Sequence, residues 1–171
     1  MKNWLKYGVA FFLTLGIRLF PFRAPNLEPI MAVQMPFAKK YGMLSAFSFG
    51  FASILIYDIF TSGIGIWTFV TALAYGGVGI FASLFFKSKT SRGRYVGFAI
   101  VATILYDAVT GLTLGPLFFH QTFMGALVGQ IPFTALHLLG NVSFAILLSP
   151  LIERWIVKEK VVILKGKLAV I

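Results

Sequence analysis

Between Lys40 and Lys87 this chain carries one charged side chain, Asp58, and between Arg94 and Glu153 only one more, Asp107. Runs that long with so little charge cannot form the exterior of a water-soluble domain, where roughly a quarter of residues are charged. Here the share is 12%, against 58% hydrophobic residues and a mean hydropathy of +0.89. The sequence therefore predicts an all-α integral membrane protein. Its 171 residues suit about six helices of roughly 20 residues with short loops. No Ser/Gly linker or composition shift marks a second domain, so residues 1–171 are expected to form one transmembrane unit.

A formal net charge of +10 would suit nucleic acid if the basic residues shared one surface. They fall instead into clusters between apolar segments: Lys2 and Lys6; Arg18 and Arg23; Lys39 and Lys40; Lys87, Lys89, Arg92 and Arg94; Arg154, Lys158, Lys160, Lys165 and Lys167. With a cytoplasmic N-terminus and six spans, every cluster except Arg18/Arg23 lies inside, as the positive-inside rule requires. The basic charge is thus a topology signal. It predicts a multi-pass protein of the cell membrane with both termini cytoplasmic, the lipid bilayer as its surroundings and no nucleic-acid partner.

The spans are expected at about 4–20, 29–38, 42–60, 65–86, 95–113 and 121–156, with a basic, amphipathic cytoplasmic tail at 157–171 near the membrane surface. The first has a signal-peptide-like start but no small-x-small cleavage site after it, so it is expected to be retained. The second is too short to cross: ten residues of helix cover about 15 Å of a core of about 30 Å. The segment before it, Arg23-Ala24-Pro25-Asn26-Leu27-Glu28-Pro29, is therefore expected to dip into the membrane as a broken, re-entrant first outer loop. Prolines disfavour helix at the preceding residue, so Ala24 and Glu28 should be extended, while Pro29 suits a first helical turn. Unwound backbone at depth is tolerated where it is buried in protein or lines a polar cavity. Thr61-Ser62-Gly63 reads as a tight turn, Gly115-Pro116 as a break ending the fifth span, and Pro132 and Pro150 as kinks.

Phe49, Tyr57, Asp58 and Thr61 recur as Phe98, Tyr106, Asp107 and Thr110. Both copies end inside-to-outside spans, which makes them a parallel repeat about an axis along the membrane normal. Ala46-xxx-Gly50, Gly93-xxx-Gly97 and Gly125-xxx-Gly129 are small-residue pairs expected to pack helices closely within the chain.

Intramembrane acids are costly and mark function by default, so Glu28, Asp58 and Asp107 are candidate ligand contacts. Asn26 and Arg23 join them from the broken loop. The competing roles are helix capping for the two aspartates and an ion pair with Arg18 or Arg23 for Glu28. His137 and Asn141, spaced i, i+4, share a helix face and need polar partners there, from a ligand, a helix or each other. Tyr57, Tyr106 and Trp67 offer rings for a planar ligand or for the membrane interface, and His120 is expected in a solvated loop.

Catalytic signatures are missing: the chain has no His-Glu-x-x-His, no Gly-x-Ser-x-Gly and no Gly-x-x-x-x-Gly-Lys-Ser/Thr phosphate loop. Without cysteine and with two histidines, no zinc site is expected. Neither enzyme activity nor a cofactor or metal is expected.

Six spans in a chain this short, Pro-Asn-Leu-Glu-Pro-Ile-Met-Ala followed by Pro-Phe-Ala-Lys-Lys-Tyr-Gly, the Tyr-Asp-x-x-Thr stretches and His137-Leu-Leu-Gly-Asn141 together resemble the substrate-binding S component of energy-coupling factor transporters. The resemblance covers about residues 4–156. It implies a membrane-embedded binder of a small nutrient, a vitamin or precursor, working with a transmembrane coupling subunit and two cytoplasmic ATPase subunits. It further implies that small residues of the first helix dock the coupling subunit. Here the nearest match is Ala10-x-x-x-Thr14 beside Gly8, a departure from the family's Ala-x-x-x-Ala. Two other readings stay open: a scaffold protein of a cell-envelope assembly machine, and an ion-coupled carrier using Asp58 and Asp107.

The distribution of basic residues predicts that cysteines introduced at 89 and in the C-terminal tail label only from the cytoplasm, and those at 26 and 62 only from outside. The chain has no native cysteine to interfere, and outside labelling at 89 would overturn the topology.

Overall fold

The computed structural model describes residues 3–23, 26–87, 90–157, 161–164 and 167–170. Among them the chain forms five helices, α1 (Asn3–Leu19), α2 (Ile30–Phe60), α3 (Ile66–Phe85), α4 (Arg92–Phe118) and α5 (Phe123–Val157). A two-stranded antiparallel hairpin follows, β1 (Val161–Leu164) with β2 (Lys167–Val170), Val161 opposite Val170. The tail expected to be an amphipathic surface piece is thus paired in strands, in keeping with the β-branched run at its start.

Gly42 sets the course of the first half of the bundle. Its φ of 82° and ψ of −174° lie in a region essentially confined to glycine, and there α2 folds back on itself. The Phe37 and Phe49 rings lie 5.2 Å apart, whereas twelve residues of straight helix would separate them by about 18 Å. Gln34 Nε2 likewise donates to Ala46 O at 2.8 Å. Six spans are therefore corrected to five helices: the expected second and third spans are the two arms of α2, and one glycine replaces the loop expected between them. Four helices, α2 to α5, are long and apolar enough to cross a membrane, and α1 has 17 residues. Gly115-Pro116 does not end α4, which closes three residues later with Phe119 N–H on Gly115 O at 3.1 Å. Pro116 sits in the last turn, where losing one helical bond is tolerated. Pro132 and Pro150 are carried inside α5.

The first arm of α2 is the centre of the molecule. Every residue from Ile30 to Ala38 is buried, as expected of a helix apolar on all sides. Each wall makes a specific contact with it. Tyr7 of α1 packs its ring against Phe37 at 5.3 Å. Gln34 Nε2 also donates to Tyr75 O of α3 at 2.9 Å. Thr103 of α4 donates to Met31 Sδ at 3.9 Å, and Ser149 of α5 to Ala32 O at 2.8 Å.

Glycine permits the approach around Gln34. A Cβ on Gly50 would come within 2.4 Å of Gln34 Nε2 and 2.6 Å of Tyr75 O, and one on Gly79 within 2.5 Å of Ala46 O. Of the three expected small-residue pairs, Ala46/Gly50 packs in this way. Gly93, Gly97 and Gly129 face open space, and Gly125 meets the turn before it. Small spacing alone does not say which side of a helix the neighbour occupies.

At the end of the bundle away from residues 20–28, Lys39 binds Glu153 at 2.8 Å and Thr90 Oγ1 at 2.9 Å, and Thr90 bonds Glu153 in turn. Lys6 Nζ donates to Trp155 O at 3.0 Å. These contacts tie α1, α2, the α3–α4 loop and α5 together.

Gly79→Ala should lower stability by about 1–3 kcal/mol through overpacking. Gly97→Ala should leave it unchanged or raise it by up to about 1 kcal/mol through helix propensity. Thermal unfolding of the detergent-solubilised protein checks both.

Candidate functional site

The inward stripe of α1 is Ala10, Thr14 and Arg18, one residue per turn at i, i+4 and i+8, all buried at 4% exposure or less. Ala10 and Thr14 therefore pack inside this chain and do not form an open docking face. Gly8 is half-buried with open space beside it. The stripe delivers Arg18 to the bundle interior. Its Nη1 donates to Ser53 O at 2.6 Å, its Nη2 to Glu28 Oε1 at 3.1 Å, and its guanidinium lies 4.0 Å from the centroid of the Tyr57 ring.

Glu28 stands just before α2, whose first turn is opened by Pro29 as expected, with Val33 N–H on Pro29 O at 3.2 Å. Arg23 approaches Glu28 at 3.8 Å, and its donors reach Arg18 O at 3.2 Å and Leu27 O at 3.1 Å. Both expected arginine partners are therefore present. Asn26 takes a positive φ of 61°, which asparagine tolerates better than most residues, and its amide reaches Phe133 O at 3.5 Å. Ala24 lies outside the described residues.

The two halves of the repeat share their local geometry and differ in their partners. Thr61 Oγ1 donates to Tyr57 O and Thr110 Oγ1 to Tyr106 O, both at 2.8 Å. The Asp58 backbone carbonyl takes Thr61 N–H at 3.2 Å and Gly63 N–H at 2.7 Å. Its carboxylate accepts from Thr68 of α3 at 2.6 Å. Asp107 instead lies 2.7 Å from His137 Nδ1 of α5, an atom that must carry hydrogen to face a carboxylate.

His137-Leu-Leu-Gly-Asn141 then accounts for four contacts within about one helical turn. His137 bonds Asp107 through Nδ1, and its Nε2 is 3.3 Å from Tyr75 Oη. Gly140 leaves room for the broken segment, since a Cβ there would meet Asn26 O at 2.9 Å. Asn141 Nδ2 donates to Thr103 Oγ1 at 2.9 Å and ties α5 to α4 away from the cavity. Tyr75 Oη also reaches Glu28 Oε2 at 3.4 Å, so Glu28, Tyr75, His137 and Asp107 form one continuous polar chain.

This chain borders a cavity of about 190 Å³ whose wall includes Arg18, Asn26, Glu28, Asp58, Trp67 and His137. A second cavity of about 420 Å³ shares Thr71, Tyr106 and Phe133 with it and adds Thr110, Gln121 and Gln130. Side by side they fall within the usual size of small-molecule sites, roughly 300–1,000 Å³. A larger groove of about 570 Å³ runs along Phe12, Leu13, Ile17 and Phe20. It is apolar and lies on the exposed side of α1. Among the described residues no three His, Asp or Glu side chains are grouped to hold a metal ion.

Of the sequence candidates, Asn26, Glu28, Asp58, Tyr106 and His137 line the polar cavities, as does Trp67. Asp107 stands behind His137, Tyr57 beneath Arg18, and Arg23 beside Glu28 and the apolar groove. Tyr75 was missed, as were the hydroxyls of Thr68 and Thr103. Tyr75 is the one polar ring within an Ala/Gly-rich span, and its position beside Gly76 and Gly77 is the signal that was available. No protein-family model, curated protein or solved structure matches the chain. Fold and site together define a multi-pass helical membrane protein with a polar, carboxylate-bearing cavity at one end of its bundle.

Arg18 is 4% exposed and Glu28 16%, so Glu28→Gln should cost about 3–5 kcal/mol by leaving a buried cation without its partner. Arg18→Gln combined with Glu28→Gln should cost less than the two changes added together. A thermal-unfolding double-mutant cycle measures the coupling, and strict additivity would show that the pair does not act as a unit.

Proposed function

We propose that this protein is the small-molecule-binding subunit of a membrane uptake system, of the kind the S components of energy-coupling factor transporters represent. The observation that carries the proposal is the convergence of Glu28, Asp58 and His137 on cavities walled by Trp67, Tyr106 and Phe133. Polar groups that only held helices together would close on one another. Here ion pairs and hydrogen bonds coexist with open volume bounded by rings and acceptors, which is how ligand sites combine apolar walls with a few directing polar groups.

On the topology expected from the basic clusters, the cavities face outside, as capture of a nutrient requires. The chain has no phosphate-loop motif, so energy for concentrative transport comes from ATPase partners acting through a coupling subunit. Since Ala10 and Thr14 are covered, that subunit meets the exposed surface of α1 around Phe12 and Leu13, beside Gly8.

Mass spectrometry of the protein purified in mild detergent should find one small nutrient in stoichiometric amount, and Asp58→Asn should reduce its retention. Recovery without any small molecule, from cells that contain all common nutrients, would favour the scaffold alternative. Concentrative uptake by the purified chain alone under an ion gradient would favour the carrier.

A further inference from the structure

We infer that the cavity takes a small organic monocation bearing an N–H group, and that binding releases one proton from the His137–Asp107 pair. The inference deepens the small-molecule reading above and rests on it. It begins with a count of hydrogens. Three links join Glu28, Tyr75, His137 and Asp107, and the two carboxylates at the ends only accept. Satisfying all three takes the Tyr75 hydroxyl hydrogen on Glu28, a hydrogen on His137 Nε2 directed at Tyr75, and one on Nδ1 directed at Asp107. A neutral imidazole carries one of the latter two. The complete chain therefore holds one proton more than neutral histidine supplies, lodged on the His137–Asp107 pair.

Charge gives the same count. The groups around His137 are Asp107 and Tyr106 from α4, Tyr75 from α3, Asp58 from α2, Glu28 and Arg23 from the segment before α2, and Arg18 from α1. With the extra proton, three positive charges (Arg18, Arg23 and protonated His137) face three carboxylates. Without it the cluster is one positive charge short, in surroundings where an imbalance is costly. Asp107 Oδ2 is buried with no partner among the described residues, so the charge on Asp107 is balanced through His137.

A cation in the cavity makes the extra proton redundant. It would lie among Glu28, Asp58 and the Trp67 ring, where both carboxylates and the ring face attract positive charge. The proton then leaves to solvent, and protein·H⁺ plus ligand⁺ becomes protein·ligand⁺ plus H⁺. Tyr75 can now turn its hydroxyl to His137 Nε2, which frees Glu28 Oε2 to accept an N–H from the ligand. An anionic ligand would instead add to a carboxylate cluster already holding its arginines.

Benzylammonium and benzoate, alike in their ring and opposite in charge, test this on the full-length protein in detergent. Trp67 fluorescence reads occupancy, and an indicator dye in weak buffer reads released protons. Benzylammonium should saturate the site and release about one proton per molecule bound, so that its apparent affinity rises with pH. His137→Gln should abolish the released proton whatever it does to affinity. Saturation without proton release overturns the exchange, as does release that persists in His137→Gln. Saturation by benzoate in place of benzylammonium overturns the charge assignment and leaves the small-molecule reading standing. If neither probe saturates at millimolar concentration, the monocation site is wrong, and the small-molecule reading is decided separately by what co-purifies.

Discussion

The buried guanidinium of Arg18 organises the end of the bundle that carries the cavities. An always-ionised group at 4% exposure requires acceptors and countercharge close by. The fold supplies a backbone carbonyl, Ser53 O, the Glu28 carboxylate and the face of Tyr57. Ser53 and Tyr57 lie one turn apart on α2 and Glu28 lies before it, so satisfying one charge fixes α1 against α2 and fixes the broken segment between them. Glu28 cannot leave without stranding Arg18, and the same bond holds the unwound backbone of residues 26–28 to the bundle.

The two ends of the molecule treat their charges differently. Around Lys39, Thr90 and Glu153 the partners close on one another. Around Glu28 and Asp58 the same kinds of contact leave adjoining cavities. Trp67, Tyr106 and Phe133 wall the open volume, while Gly50 and Gly79 permit close approach in the middle of the bundle. One region of close packing and one of open volume thus lie along the same α3 helix.

Much of this was legible in the sequence, for identifiable reasons. Asp58 and Asp107 stood out because each is alone in an otherwise uncharged run, and the His137/Asn141 spacing placed both on one buried face. The Pro25/Pro29 pair announced the break before α2. What failed was the helix count, because Lys39-Lys40 looked like a loop while Gly42 makes the turn by itself. The burial of Ala10 and Thr14 within the chain was not legible, because small residues mark close approach without naming the neighbour. Tyr75 escaped notice because the signal it carries, the adjoining Gly76 and Gly77, does not name the partners it meets. Its role emerges only once α3 brings it between Glu28 and His137. The shared motif around the two aspartates was visible, but their different partners were not, since those come from Thr68 and His137 on other helices.

The enclosed arm at Ile30–Ala38 bears on how the protein is made. Its walls come from Tyr7, Tyr75, Thr103 and Ser149, so they emerge from the ribosome in sequence, and the last of them lies in the final helix. A nine-residue segment is too short to rest in lipid as an independent span. It leaves the ribosome before three of its four contacts exist, and closing those contacts over such sequence separations is slow. The centre of the bundle is consequently among the first parts synthesised and the last to be enclosed, and a nascent chain that stops short of Ser149 lacks one side of its own core.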